Sequence, residues 1–200
     1  MRQTPLLVAA WLSVLASAAF AQDSKVDDFA RRMFATKSDD TSASACFVRS
    51  YDPAHLARHR KQTVSAMKML VSAEKVEDQT WLSYSYDLGI KFRDRNGDYA
   101  AKFFCGEARM SDVRREGVRI YCHDGCEGGG VEIALSPNAK SIIVKVEDVV
   151  VWPADRPQDM DAQFDFKTGV GDRVFRLDRV DMENCNSLKK SEEVAANEAE

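Results

Sequence analysis

The sequence predicts a mainly β protein: a single domain of seven or eight mostly antiparallel strands, in a small barrel or sandwich, with one or two short helices and disulfides. Three observations carry this expectation. Apolar and polar residues alternate without a break from Leu82 to Arg93, the period-2 pattern of a strand with one buried face. Shorter alternating runs follow around Val118–Cys122, Val131–Leu135 and Ser141–Trp152, divided by Gly, Pro, Asn and Ser. Five cysteines, Cys46, Cys105, Cys122, Cys126 and Cys185, all lie downstream of an export-type leader, where oxidation favours bridges.

That leader is MRQTPLLVAAWLSVLASAAFA, with an early Arg2, an apolar run from Leu6 to Leu15, and Ala19-Phe20-Ala21 before the expected cleavage point. The apolar run falls short of the roughly 20 residues a membrane span needs. Residues 1–21 are therefore expected to be a signal peptide, and the protein to be exported: periplasmic if the source is Gram-negative, otherwise secreted. Removing Arg2 leaves 27 basic against 32 acidic residues, a net charge of 27 − 32 = −5. A surface of that sign repels phosphate backbones, so nucleic acid is not an expected partner. The one basic run, Arg58-His59-Arg60-Lys61, reads as a solvated segment.

Residues 22–45 form a polar leader in which Val26, Phe29, Ala30, Met33 and Phe34 are spaced as a short amphipathic helix. The folded unit is placed at 46–186. Residues 187–200, SLKKSEEVAANEAE, carry few apolar side chains and are expected to be a disordered acidic tail.

Asp52-Pro53 is a helix start, so a helical turn over about 53–60 is expected, followed by a strand through TVSAMKMLV. The strand beginning at Leu82 is expected to turn at Asn96-Gly97 in a two-residue type I′ hairpin. That register sets Phe92 opposite Ala101, Ile90 opposite Phe103 and Leu88 opposite Cys105. Asp94–Asp98 also faintly resembles a calcium loop but lacks its later ligands. The apolar phase of SIIVKVEDVVVW slips at Glu147-Asp148, which suggests a bulge. Past the proline-bearing connection WPADRPQDM, Phe164 and Phe166 are expected to form a last hairpin with Phe175 and Leu177.

Chemistry is sparser. His55 and His59 stand at i and i+4, and with His123 they are the candidate metal ligands, joined by Cys122, Asp124 and Cys126. There is no HExxH, no CxxC, no G-x-S-x-G elbow and no P-loop. Acidic Asp124 and Glu127 surround Cys126 and oppose a reactive thiolate. Tyr84 and Tyr86 fall on the buried face of their strand, where their hydroxyls can line a small-ligand cavity if a barrel mouth stays open.

Alternating strand directions favour bridging Cys105 with Cys185, and Cys46 with Cys122 or Cys126, while a direct Cys122–Cys126 bridge also fits. IYCHDGCEGGG at 120–130 reads as a disulfide-tethered loop between strands, with His123 and Glu127 its members worth mutating. The functional expectation is an exported, non-catalytic β domain binding a protein or small ligand in the cell envelope, without a cofactor and without a transmembrane segment after signal removal. The rival is a metal-dependent hydrolase using His55, His59 and His123.

Overall fold

The computed structural model describes residues 28–35, 42–77, 82–106, 109–110, 118–123, 129–157 and 159–188. The expected signal peptide, Asp124, Cys126, Glu127 and the tail beyond Leu188 lie outside the described residues, as does the side chain of His123.

Antiparallel β structure dominates, with eleven strands in one sheet among the described residues. They are β1 (Ser42–Ser50), β2 (Val64–Lys75), β3 (Leu82–Phe92), β4 (Tyr99–Gly106), β5 (Arg109–Met110), β6 (Val118–His123), β7 (Gly130–Leu135), β8 (Ser141–Glu147), β9 (Val149–Pro153), β10 (Phe164–Phe166) and β11 (Val174–Val180). A helical segment at 28–34, α1, precedes them, and α2 (Pro53–Arg58) joins β1 to β2.

The sheet runs β10-β9-β4-β3-β2-β1-β11-β8-β7-β6-β5 and curls until β4 meets β6 at Phe104 and His123. Eight strands, β4-β3-β2-β1-β11-β8-β7-β6, thus form a closed circuit, with β5, β9 and β10 extending from the seam. Inward side chains at every second position fill this barrel-like sheet, among them Phe47, Met69, Tyr86, Leu88, Phe103, Ile120, Ile133, Val144 and Leu177. Their burial removes apolar surface from water at roughly 25 cal/mol per Å2, the main force holding the curl.

The leader contributes to the core. Phe29, Met33 and Phe34 of α1 are buried, and the rings of Phe29 and Phe34 pack on Tyr84 at 6.5 and 6.1 Å. The guanidinium of Arg179 crosses from β11 to donate to the carbonyls of Met33 and Arg32, and Arg32 donates to Ser136 and Pro137 in the β7–β8 turn. Helix α1 therefore plugs one end of the barrel. Strand β1 also starts at Ser42, inside the stretch expected to be leader. At the other boundary, Leu188 is buried although the folded unit was expected to end at 186.

The expected turn of helix followed by a strand is found at α2 and β2. The expected hairpin register is not. Ile90 faces Tyr99, Leu88 faces Ala101 and Tyr86 faces Phe103, a slip of four residues along β4. Phe92 is instead opposite Val64, and Arg93 N–H donates to Thr63, so the end of β3 is held by β2. The loop widens to Arg93–Asp98, and only Gly97 in it has positive φ (+90°), which excludes a type I′ turn. An even slip leaves every side chain on its expected face, which is why the core came out unchanged.

Two further expectations are corrected. The phase slip at Glu147-Asp148 marks a corner: β8 ends, Asp148 takes φ +22°, and β9 leaves to pair with β10 and β4. Phe164 and Phe166 pair with Val151 and Val149, not with β11, which lies between β1 and β8. The intervening loop is pulled across to β2 by Asp172, whose carboxylate accepts from Thr63 N (2.8 Å), Thr63 Oγ1 (2.7 Å) and Val64 N (3.1 Å).

Candidate functional site

Tyr84 and Tyr86 are both inside, at 1% and 0% exposure. Tyr86 donates to the Ile120 carbonyl at 3.3 Å, and burial pushes its phenol pKa well above the ordinary value. The barrel end expected to open over Tyr84 is occupied by the α1 side chains.

The cysteines pair otherwise than expected. Cys46 bridges Cys185 and Cys105 bridges Cys122, with Cα separations of 5.9 and 4.2 Å. Strand polarity misled because β11 lies beside β1 with Val180 opposite Cys46, and the 3₁₀ turn Met182–Cys185 then doubles back over the outer face. There Cys46, Leu70, Cys185 and Leu188 form a second apolar cluster. Cys105 and Cys122 instead staple the seam next to the Phe104–His123 bridge.

That outer cluster walls a groove of about 320 Å3 over the outward face of β1, β2 and β3, at the small end of ligand-site volumes. Val48, Ala66 and Gly89 give it an apolar floor, Leu188, Ser187 and Asn184 one wall, and Asp98, Tyr99 and Ala154 the other. Lys68 donates to Ser187 Oγ at 3.2 Å, and Lys91 pairs with Asp98 at 3.1 Å. Gly89 is required here by space. A Cβ on it would stand 2.8 Å from Lys68 Cγ and 3.1 Å from Leu188 Cδ2. Its residues come from six separated segments and carry no motif that the sequence could announce.

At the opposite end of β3 from Ser85, α2 builds a second cluster. Asp52 caps the helix, accepting from His55 N at 2.7 Å, and this amide holds its carboxyl below the usual range. The His55 ring stacks between Tyr51 (4.7 Å) and His59 (4.2 Å), and the Arg49 guanidinium lies 5.4 Å from the Tyr51 ring centre. His55 Nε2 also meets Gln62 Oε1 at 3.2 Å, while the Gln62 amide donates to the Val64 carbonyl.

His55 and His59 thus share a face as expected. His123 does not join them, since its backbone faces Phe104, which is opposite Ser85, whereas Arg93 contacts α2 through the Leu56 carbonyl. Eight residues of strand separate those levels, about 25 Å. Among the described residues no three His, Cys, Asp or Glu side chains are grouped to share a metal ion, and no helix is long and apolar enough to cross a membrane.

Comparison with protein-family models, curated proteins and solved structures finds no match to this chain.

Proposed function

We propose that the protein is an exported, non-catalytic β domain that binds a protein or a small ligand in the cell envelope, and that the outer groove over β1–β3 is where it binds. The observation that carries this reading is the contrast between a barrel interior packed with side chains and a walled groove of about 320 Å3 on its flank. The groove offers an apolar floor for a ligand body and two ammonium groups, Lys68 and Lys91, for an acceptor. Two disulfides support an oxidising compartment such as the periplasm or the exterior.

The test is capture and transfer. A partner or ligand recovered from an envelope fraction should be lost on Gly89→Leu, which fills the groove floor. Turnover of peptides, glycans or phosphate esters by the purified protein would overturn the non-catalytic reading. The metal-dependent alternative draws support from the shared face of His55 and His59 alone. Elemental analysis of protein purified without chelator tests it, and no stoichiometric zinc, copper or iron would end it.

A further inference from the structure

We propose that the pole formed by α2 and the β10–β11 loop is a docking surface for an anionic lipid bilayer. This is independent of the groove, which lies on the barrel flank.

The first observation is a cluster of basic side chains. Arg58, Arg60, Lys61 and Arg93 gather at this pole, exposed; Arg93 is drawn in by donating to the Leu56 and Gln62 carbonyls. Elsewhere Arg49, Lys91, Lys102, Arg119 and Lys145 stand beside carboxylates, while Lys75, Arg95 and Lys140 are scattered singly. Among the described residues none of the four at this pole forms an ion pair. Three carboxylates lie close by: Asp172, buried on Thr63 and Val64; Asp52, which accepts from the His55 amide and feels the Arg58 charge; and exposed Asp94 beside Arg93. The four cations outnumber the carboxylates beside them, so a chain of net negative charge presents a locally cationic end.

The second observation points to lipid. Val170, 87% exposed, sits at the tip of the β10–β11 loop, in a turn closed by Asp172 N–H on the Gly169 carbonyl. Its neighbour Gly171 is pressed onto the 61–62 peptide, where a Cβ would meet Lys61 C and Gln62 N at 2.7 Å. The packing fixes an apolar tip beside the basic cluster. A soluble polyanion gains nothing from an exposed valine, whereas a bilayer interface takes up an apolar side chain and attracts the surrounding cations at once.

The experiment is co-sedimentation of the purified protein with phosphatidylcholine vesicles made with and without phosphatidylglycerol. Binding is expected only with the anionic lipid, falling as salt rises because the attraction is screened. Arg60→Glu with Lys61→Glu should weaken it by at least about 30-fold, since each basic residue near such a surface contributes about fivefold. Val170→Trp should add emission that moves to the blue on vesicles. Equal binding to uncharged vesicles, unchanged binding by the charge-reversed variant with a native circular dichroism spectrum, or no blue shift would overturn the proposal. Equally tight binding of inorganic phosphate or a short DNA duplex would overturn it in favour of a soluble polyanion.

Discussion

Replacing Cys46 and Cys185 by alanine should be among the most damaging changes available outside the barrel interior. The bridge joins residues 139 apart, so its loss frees the unfolded chain from a very long loop. Chain-entropy arithmetic gives about 5 kcal/mol for that loop, against about 3 kcal/mol for the 17-residue loop closed by Cys105 and Cys122. A whole domain is stable by only about 5–15 kcal/mol, so the first loss takes a large share of it. The groove should suffer with it, because Ser187 and Leu188 follow Cys185 by only two and three residues and are anchored to the sheet through it.

Reversible urea unfolding of parent and both double-alanine variants is the assay. The Cys46/Cys185 variant should lose about 2 kcal/mol more than the Cys105/Cys122 variant. Its N–H groups near Lys68 and Gly89 should also exchange faster, while those of β6–β8 do not. Equal losses, or a larger loss from the short loop, would refute the entropic account. Peptide mapping without reduction that joined Cys105 to Cys185 would refute the pairing itself.

Other expectations are local. Gly129→Ala should cost about 3 kcal/mol or abolish folding, because its Cβ would fall 1.5 Å from the Asp148 carbonyl oxygen, whereas Gly169→Ala, with open space around it, should stay within about 0.5 kcal/mol in thermal unfolding. Asp172→Ala should cost about 3 kcal/mol by leaving Thr63 and Val64 donors without their acceptor, read as a lower urea midpoint. Alkaline pH should unfold the parent earlier than Tyr86→Phe. The Tyr86 phenol stays neutral in the fold while its unfolded counterpart ionises near pH 10, so stability falls above that pH by about 1.4 kcal/mol per unit for this group. A stability curve for Tyr86→Phe parallel to the parent's above pH 10 would contradict it.

What was legible in the sequence was whatever a single strand or a single turn of helix states by itself. Alternation from Leu82 onward placed Tyr86, Leu88 and Ile90 inside, and the spacing of Phe29, Met33 and Phe34 announced an apolar face. Asp52-Pro53 announced a helix start that the cap confirms. Burial follows period, and period is local.

Pairing is not. A four-residue slip between β3 and β4 changes no side chain's face, so the alternation is silent about it, as it is about the hydrogen bond that ties Arg93 to Thr63 just before β2. The same silence covers the bridges, since which strand lies beside β1 depends on how the whole sheet curls. In the alternation Gly89 is one more outward position, and nothing local says that Leu188 comes to rest on it. Composition and period determined a disulfide-bearing antiparallel β domain whose core residues can be named. Only the closing of β4 on β6 and the return of the chain over the outer face decided its bridges, its groove and its cationic pole, because each joins residues that meet through packing and share no local pattern.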